Sequence, residues 1–73
     1  MSWRRPPGIP LLAVVEFIEP FEQHPQGTVG TVVETFGSAD HYEVEILDDE
    51  DHTLDVVSVD GRFLRVKSLP ADD

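Results

Sequence analysis

The stretch Asp48-Asp49-Glu50-Asp51-His52-Thr53-Leu54-Asp55 is the densest collection of ligating and acid–base groups in the chain. Asp48, Glu50 and His52 alternate as the ligands of a calcium loop do. The rest of that pattern is missing. The sixth position of such a loop needs glycine for its sharp turn and is Thr53, and the twelfth needs a bidentate glutamate and is Val59. These residues therefore read as a solvated acidic turn. His24, His41 and His52 fall in separate turns and strand ends, and nothing in their spacing brings together the three or four ligands that zinc requires. Nucleophilic catalysis has no cysteine and no serine in a nucleophile motif to use. Carboxylates abound, but Glu43 and Glu45 lie on one face of a strand, with Cα atoms about 6.5–7 Å apart, as acidic pairs on exposed strand faces commonly do. These residues point away from an enzyme and away from a bound metal or cofactor.

The charge distribution is more informative than any single motif. The 73 residues carry 15 acidic and 5 basic side chains, for a formal net charge of −10. No Lys or Arg occurs between Arg5 and Arg62, so the bases sit at the two ends: Arg4 and Arg5, then Arg62, Arg65 and Lys67. A surface of this kind repels phosphate backbones and attracts basic partners, besides keeping the molecule soluble.

The elements that must position these groups are short strands. Pro6, Pro7 and Pro10 fix φ and remove backbone donors, so residues 1–10 are expected to form a flexible, extended Pro-rich segment. Its Arg4-x-x-Pro7-x-x-Pro10 spacing matches a polyproline ligand, although a plain leader explains it better. "LLAVVEFI" (11–18) is a strand stopped by Pro20, and "EPFEQHPQ" is a loop. "GTVGTVVETF" (27–36) is the second strand and "GSAD" a turn. "HYEVEIL" (41–47) alternates, with Tyr42, Val44 and Ile46 on one face and Glu43 and Glu45 on the other. "HTLDVVSV" (52–59) is the fourth strand, with Leu54 and Val56 on one face and Asp55 on the solvent side with Glu43 and Glu45. "DGR", with Gly61 as its structural glycine, has room for one 3₁₀ turn before the fifth strand, "FLRVKSL". No window has helical periodicity with caps.

Five antiparallel strands in so short a chain must curl to hide their apolar face. The fold expected is all-β, a small five-stranded SH3-like barrel over residues 11–69, followed by a C-terminal tail at 70–73. Gly27 and Gly30 belong to its backbone: Gly27 ends the long loop with positive φ, and Gly30 occupies a bend in the second strand where a Cβ would collide. "GTVG" is no phosphate loop, since no lysine and no helix follow it.

Three blocks then look familiar: "GTVGTVVE" at 27–34, "YEVEILDDEDHTL" at 42–54 and "FLRV" at 63–66. Over roughly residues 11–67 the sequence resembles the bacterial family catalogued as domain of unknown function 4926. The resemblance implies an SH3-like barrel and, because no activity is established for that family, no catalysis. The Gly-x-x-Gly strand is also similar to KOW-type motifs of translation and transcription factors. That similarity stops at the glycines, because RNA-binding KOW modules need a basic surface and this chain has none at the corresponding positions.

The function expected is a non-enzymatic, acidic protein-interaction module: an inhibitor, an antitoxin-like partner or an accessory subunit that binds a more basic protein. Its contact residues would be Phe21, Glu43, Glu45, Asp48, Asp49, Glu50, Asp51 and Asp55, with an apolar patch near Phe21 and Phe36. Phe21 has a second reading, as a plug for the barrel end. The alternative function is a KOW-like nucleic-acid-associated module or an acidic nucleic-acid mimic. "LLAVV" is too short for a signal-peptide core and far too short to span a bilayer, so a cytoplasmic protein without membrane or nucleic-acid contacts is expected, as a monomer or weak homodimer.

Overall fold

The computed structural model describes residues 8–36 and 39–70. The polyproline spacing from Arg4, Gly37 and Ser38 of the "GSAD" turn, and residues 71–73 of the tail lie outside them. Five strands form one antiparallel sheet: β1 (Val14–Phe17), β2 (Val29–Phe36), β3 (Ala39–Leu47), β4 (Thr53–Asp60) and β5 (Leu64–Ser68). A 3₁₀ turn, Gly61–Phe63, joins the last two. The spatial order is β4-β3-β2-β1-β5. Among the described residues the two outermost strands, β4 and β5, share no ladder, so the barrel is not closed. No helix among them is long and apolar enough to cross a membrane.

The sheet curls around a core of Val15 and Phe17 from β1, Val32 from β2, Tyr42, Val44 and Ile46 from β3, Val57 and Val59 from β4 and Leu64 from β5. Each strand supplies alternate residues to it, as the pleat dictates. β2 is the strand that joins the two parts of the sheet. Val29, Gly30 and Thr31 pair with β1, and Thr31 onward pairs with β3. The strand changes partner beside Gly30, where a Cβ would stand 2.5 Å from Val44 Cγ1 and 2.8 Å from the Glu45 carbonyl oxygen. Gly27, at φ +90°, closes the preceding loop by donating its N–H to the Phe17 carbonyl at 2.8 Å. Gly27 thus has a positive φ, and a side chain at Gly30 has no room. Gly61 has a different neighbour: a Cβ there would run into the Asp40 carboxylate.

Two expectations are corrected at the first strand. Leu11 and Leu12 are exposed and precede β1, because Leu12 turns through φ +72° while the Ala13 N–H bonds back to the Pro10 carbonyl. The Pro-rich segment is also not separate along its whole length. Ile9 packs against the core, and its N–H donates to the Tyr42 hydroxyl at 2.7 Å. That hydroxyl in turn donates to Asp40 Oδ1 at 2.6 Å. Burial, the bond to Asp40 and that carboxylate's charge raise the Tyr42 pKa above its ordinary 10.0, against the opposing bond from Ile9.

Candidate functional site

β2, β3 and β4 present a broad outer face. The register sets Glu34 of β2 directly opposite Glu43 of β3, and Glu43 opposite Ser58 of β4. One row along, Glu45 lies between Thr31 and Val56, and at the other end His41 faces Asp60. Directly opposed carboxylates repel, so the Glu34–Glu43 pair is a local cost to the sheet. Glu45 is partly relieved because the Thr53 hydroxyl donates to its Oε2. Exposed apolar side chains share the region: Phe36 at 43% and Val56 at 49% of full exposure. Phe36 stands beside the His41 ring with centroids 5.9 Å apart.

The β3–β4 turn adjoins this face. Asp48 shapes the turn, since its Oδ1 accepts the Glu50 and His52 N–H groups at 2.8 and 3.0 Å. Asp51 takes φ +65° and closes the turn by donating its N–H to the Asp48 carbonyl. Asp49, Glu50 and Asp51 are left exposed.

Asp55 is not on the outer face. It pairs with Ile46 and shares the inner side of β4 with Val57 and Val59, while Val56 is turned outward. The register shifts between Ile46 and Leu47, so that Leu47 pairs with Thr53 and Leu54 is the extra residue of a bulge. Val57 and Val59, opposite Val44 and Tyr42, complete the core. Asp55 is tolerated at the rim of that side because the long β1–β2 loop brings it partners. His24, only 6% exposed, places Nε2 2.8 Å from Asp55 Oδ2, and Gln23 Nε2 donates to the same oxygen at 3.1 Å. Oδ1 accepts the Val56 N–H at 2.9 Å. The His24 hydrogen bond, aided by the Val56 N–H, lowers the Asp55 pKa below its ordinary 3.8 despite partial desolvation. A carboxylate so fully engaged is a clip between loop and sheet. An open groove of about 560 Å³ above it is walled by Pro25, Val29, Leu47 and Leu54.

Phe21 also belongs to this loop's packing. Its ring meets Phe17 edge-on at 5.6 Å and Phe63 at 6.2 Å, and it lies half-buried against the core. Phe21 and Phe36 thus have different neighbours, and Phe36 is the one on the outer face. The described bases collect elsewhere. Arg62 lies over the Phe63 ring at 5.0 Å, and Arg65 donates to Glu16 Oε1 at 2.8 Å, which holds the Glu16 pKa below its ordinary 4.5.

Sequence reasoning places Glu43, Glu45 and the acidic turn correctly. It misses Glu34, whose position opposite Glu43 depends on a register shift between Val32 and Glu34. It also misses the His24–Asp55 contact, which joins residues from a loop and a distant strand. The family model described as Domain of unknown function (DUF4926) matches residues 11–66. No curated protein and no solved structure matches the chain.

Proposed function

The chain belongs to the family described as a domain of unknown function (DUF4926), a membership that carries no activity, and from the chemistry of its outer face we propose that it is a non-enzymatic module that docks a basic protein. The observation that carries this reading is the register that sets Glu34 against Glu43, with a half-buried Glu45 and the exposed Phe36 and Val56 around them. Like charges held face to face are relieved when Lys or Arg side chains of a partner approach, and neighbouring apolar groups then retain the complex. Charge also accelerates the encounter, since the chain has no Lys or Arg between Arg5 and Arg62 to offset its acids. Such a module suits an inhibitor, an antitoxin-like partner or an accessory subunit.

The test is kinetic. A partner recovered from the native cell is measured for association with the wild type and with Glu34→Gln, Glu43→Gln, Glu45→Gln combined, at low and high salt. The expected result is a slower on-rate in the variant and a shallower salt dependence, with the fold unchanged or slightly more stable. Equal on-rates at every salt concentration would sink the reading.

A further inference from the structure

We infer that the free edge of β4 is where the partner attaches, by adding an extended strand of its own to the sheet; this rests on the proposed docking of a basic protein. Among the described residues β4 pairs with β3 on one side only and ends the strand order. The Val56 N–H bonds to the Asp55 carboxylate and so points away from β3. By the alternation of an antiparallel ladder, Val56 and Ser58 are the residues whose backbone groups face outward. Among the described residues the Ser58 N–H and the Val56 and Ser58 carbonyls have no backbone partner beyond the sheet.

Natural edge strands are blunted by lysine, proline, shortness or bulges. The other edge, β5, has five residues and carries Arg65 and Lys67. β4 has eight, reads Thr-Leu-Asp-Val-Val-Ser-Val-Asp, and contains no lysine, proline or glycine. Its one bulge is at the end near Leu54 and leaves Val56 to Asp60 regular. The regular β-branched stretch from Val56 to Asp60, beyond the bulge and the inward-pointing Asp55, is the template that strand addition uses. The occupant is an extended segment in which basic and apolar residues alternate. On the outer side its Lys or Arg side chains would lie next to Val56 and Ser58 and within reach of Glu43 and Glu45, one strand further in. A second copy is a poorer fit. Each copy carries a net charge of −10, pairing β4 with itself brings Asp55 and Asp60 of both copies into one ladder, and the Arg65 of a second copy's β5 is already engaged by Glu16.

The test uses the full chain, labelled with ¹⁵N, and an end-capped synthetic eight-residue peptide alternating valine and lysine. A control peptide has the same sequence with its lysine amides N-methylated, since in an antiparallel pair the residues beside Val56 and Ser58 are the ones whose N–H groups face β4; this keeps charge and apolar content but removes strand pairing. Expected are saturable binding of the first peptide, about tenfold or greater slowing of Ser58 amide exchange in the complex, and at least about tenfold weaker binding of the control. Ser58→Pro deletes an outward N–H and no β3 bond, and is expected to lose binding to the same extent. Should that variant fail to fold, the wild-type exchange and the N-methylated control still decide. If both peptides bind equally and perturb Glu34, Glu43 and Glu45 without protecting Ser58, strand addition is overturned while docking on the acidic face stands. Binding of neither peptide also overturns strand addition, and the salt-dependent on-rates then judge the broader reading separately. Ser58 protection that rises with protein concentration in the absence of peptide would make the occupant a second copy and overturn the choice made here.

Discussion

Glycine 30 shows what a single residue can disclose. A glycine within a run of β-branched residues costs conformational entropy and gives up a packed side chain, so it persists where a side chain cannot fit. Here the obstacle is double, a valine side chain and a backbone carbonyl, and only the first can yield. Gly30→Val is expected to destabilise the fold by more than about 1 kcal/mol, which in a domain of this size lowers the melting temperature by roughly 4–8 °C for each kcal/mol. A thermal melt within a degree of wild type would show that a side chain does fit there. Gly27 was legible on the same grounds, because a glycine entering a strand from a loop commonly takes the positive φ that it has here. His24 was not. A histidine in a Pro-flanked loop carries no mark of burial, and its partner is in a strand at the opposite side of the sheet order.

At the scale of elements, all five strands and the 3₁₀ turn could be read from alternation and turn residues, but the facing of β4 could not. Its sequence, Leu-Asp-Val-Val-Ser-Val, alternates apolar residues in both phases, so either Leu54 and Val56 or Val57 and Val59 could enter the core. Sequence favours the first choice because it keeps Asp55 in water. The loop reverses the balance by bringing His24 and Gln23 to Asp55, which lets Val57 and Val59 pack. That dependence makes the loop's attachment sensitive to acid. The folded pKa of Asp55 lies below the ordinary 3.8, so its contribution to stability is complete above that value and is lost as pH falls through the lowered folded value. Asp55→Ala should melt lower than wild type at neutral pH, with faster amide exchange at Phe21, His24 and Gly27, whose N–H groups are bonded within the loop or to its base. The difference between the two proteins should shrink as pH drops below 3.8. A difference that stays constant through that window would mean that the carboxylate's charge has no part in holding the loop.

For the molecule as a whole, charge separation decides which partners can approach. Acids gather on the outer face of β2 to β4 and the β3–β4 turn, with Glu16, Glu19, Glu22 and Asp55 outside that region, while the described bases, Arg62, Arg65 and Lys67, are confined to the 3₁₀ turn and β5. This asymmetry was visible in the sequence, because a chain with no base between Arg5 and Arg62 has acidic middle strands however it folds. Its partition between faces needed the register. Of the three described bases, Arg65 is held by Glu16 and Arg62 lies 4.0 Å from an Asp60 oxygen and over Phe63. Only Lys67 remains outside such pairings among them. Nucleic-acid affinity grows from counterions released as several Lys and Arg side chains neutralise phosphates. Among the described residues one lysine outside ion pairs, beside a net charge of −10 for the chain, supplies almost no such drive, and the repulsion from the acidic face opposes it. The chain is therefore expected to show no binding to duplex DNA or to single-stranded RNA at physiological salt up to about 100 μM, at the weak limit of ordinary non-specific association. Fluorescence anisotropy of labelled oligonucleotides at two salt concentrations would check this. Micromolar affinity that weakens steeply with salt would show that the β5 strip is a phosphate-binding surface despite its carboxylate neighbours, and would move the functional reading from a basic protein partner to the similarity with KOW motifs.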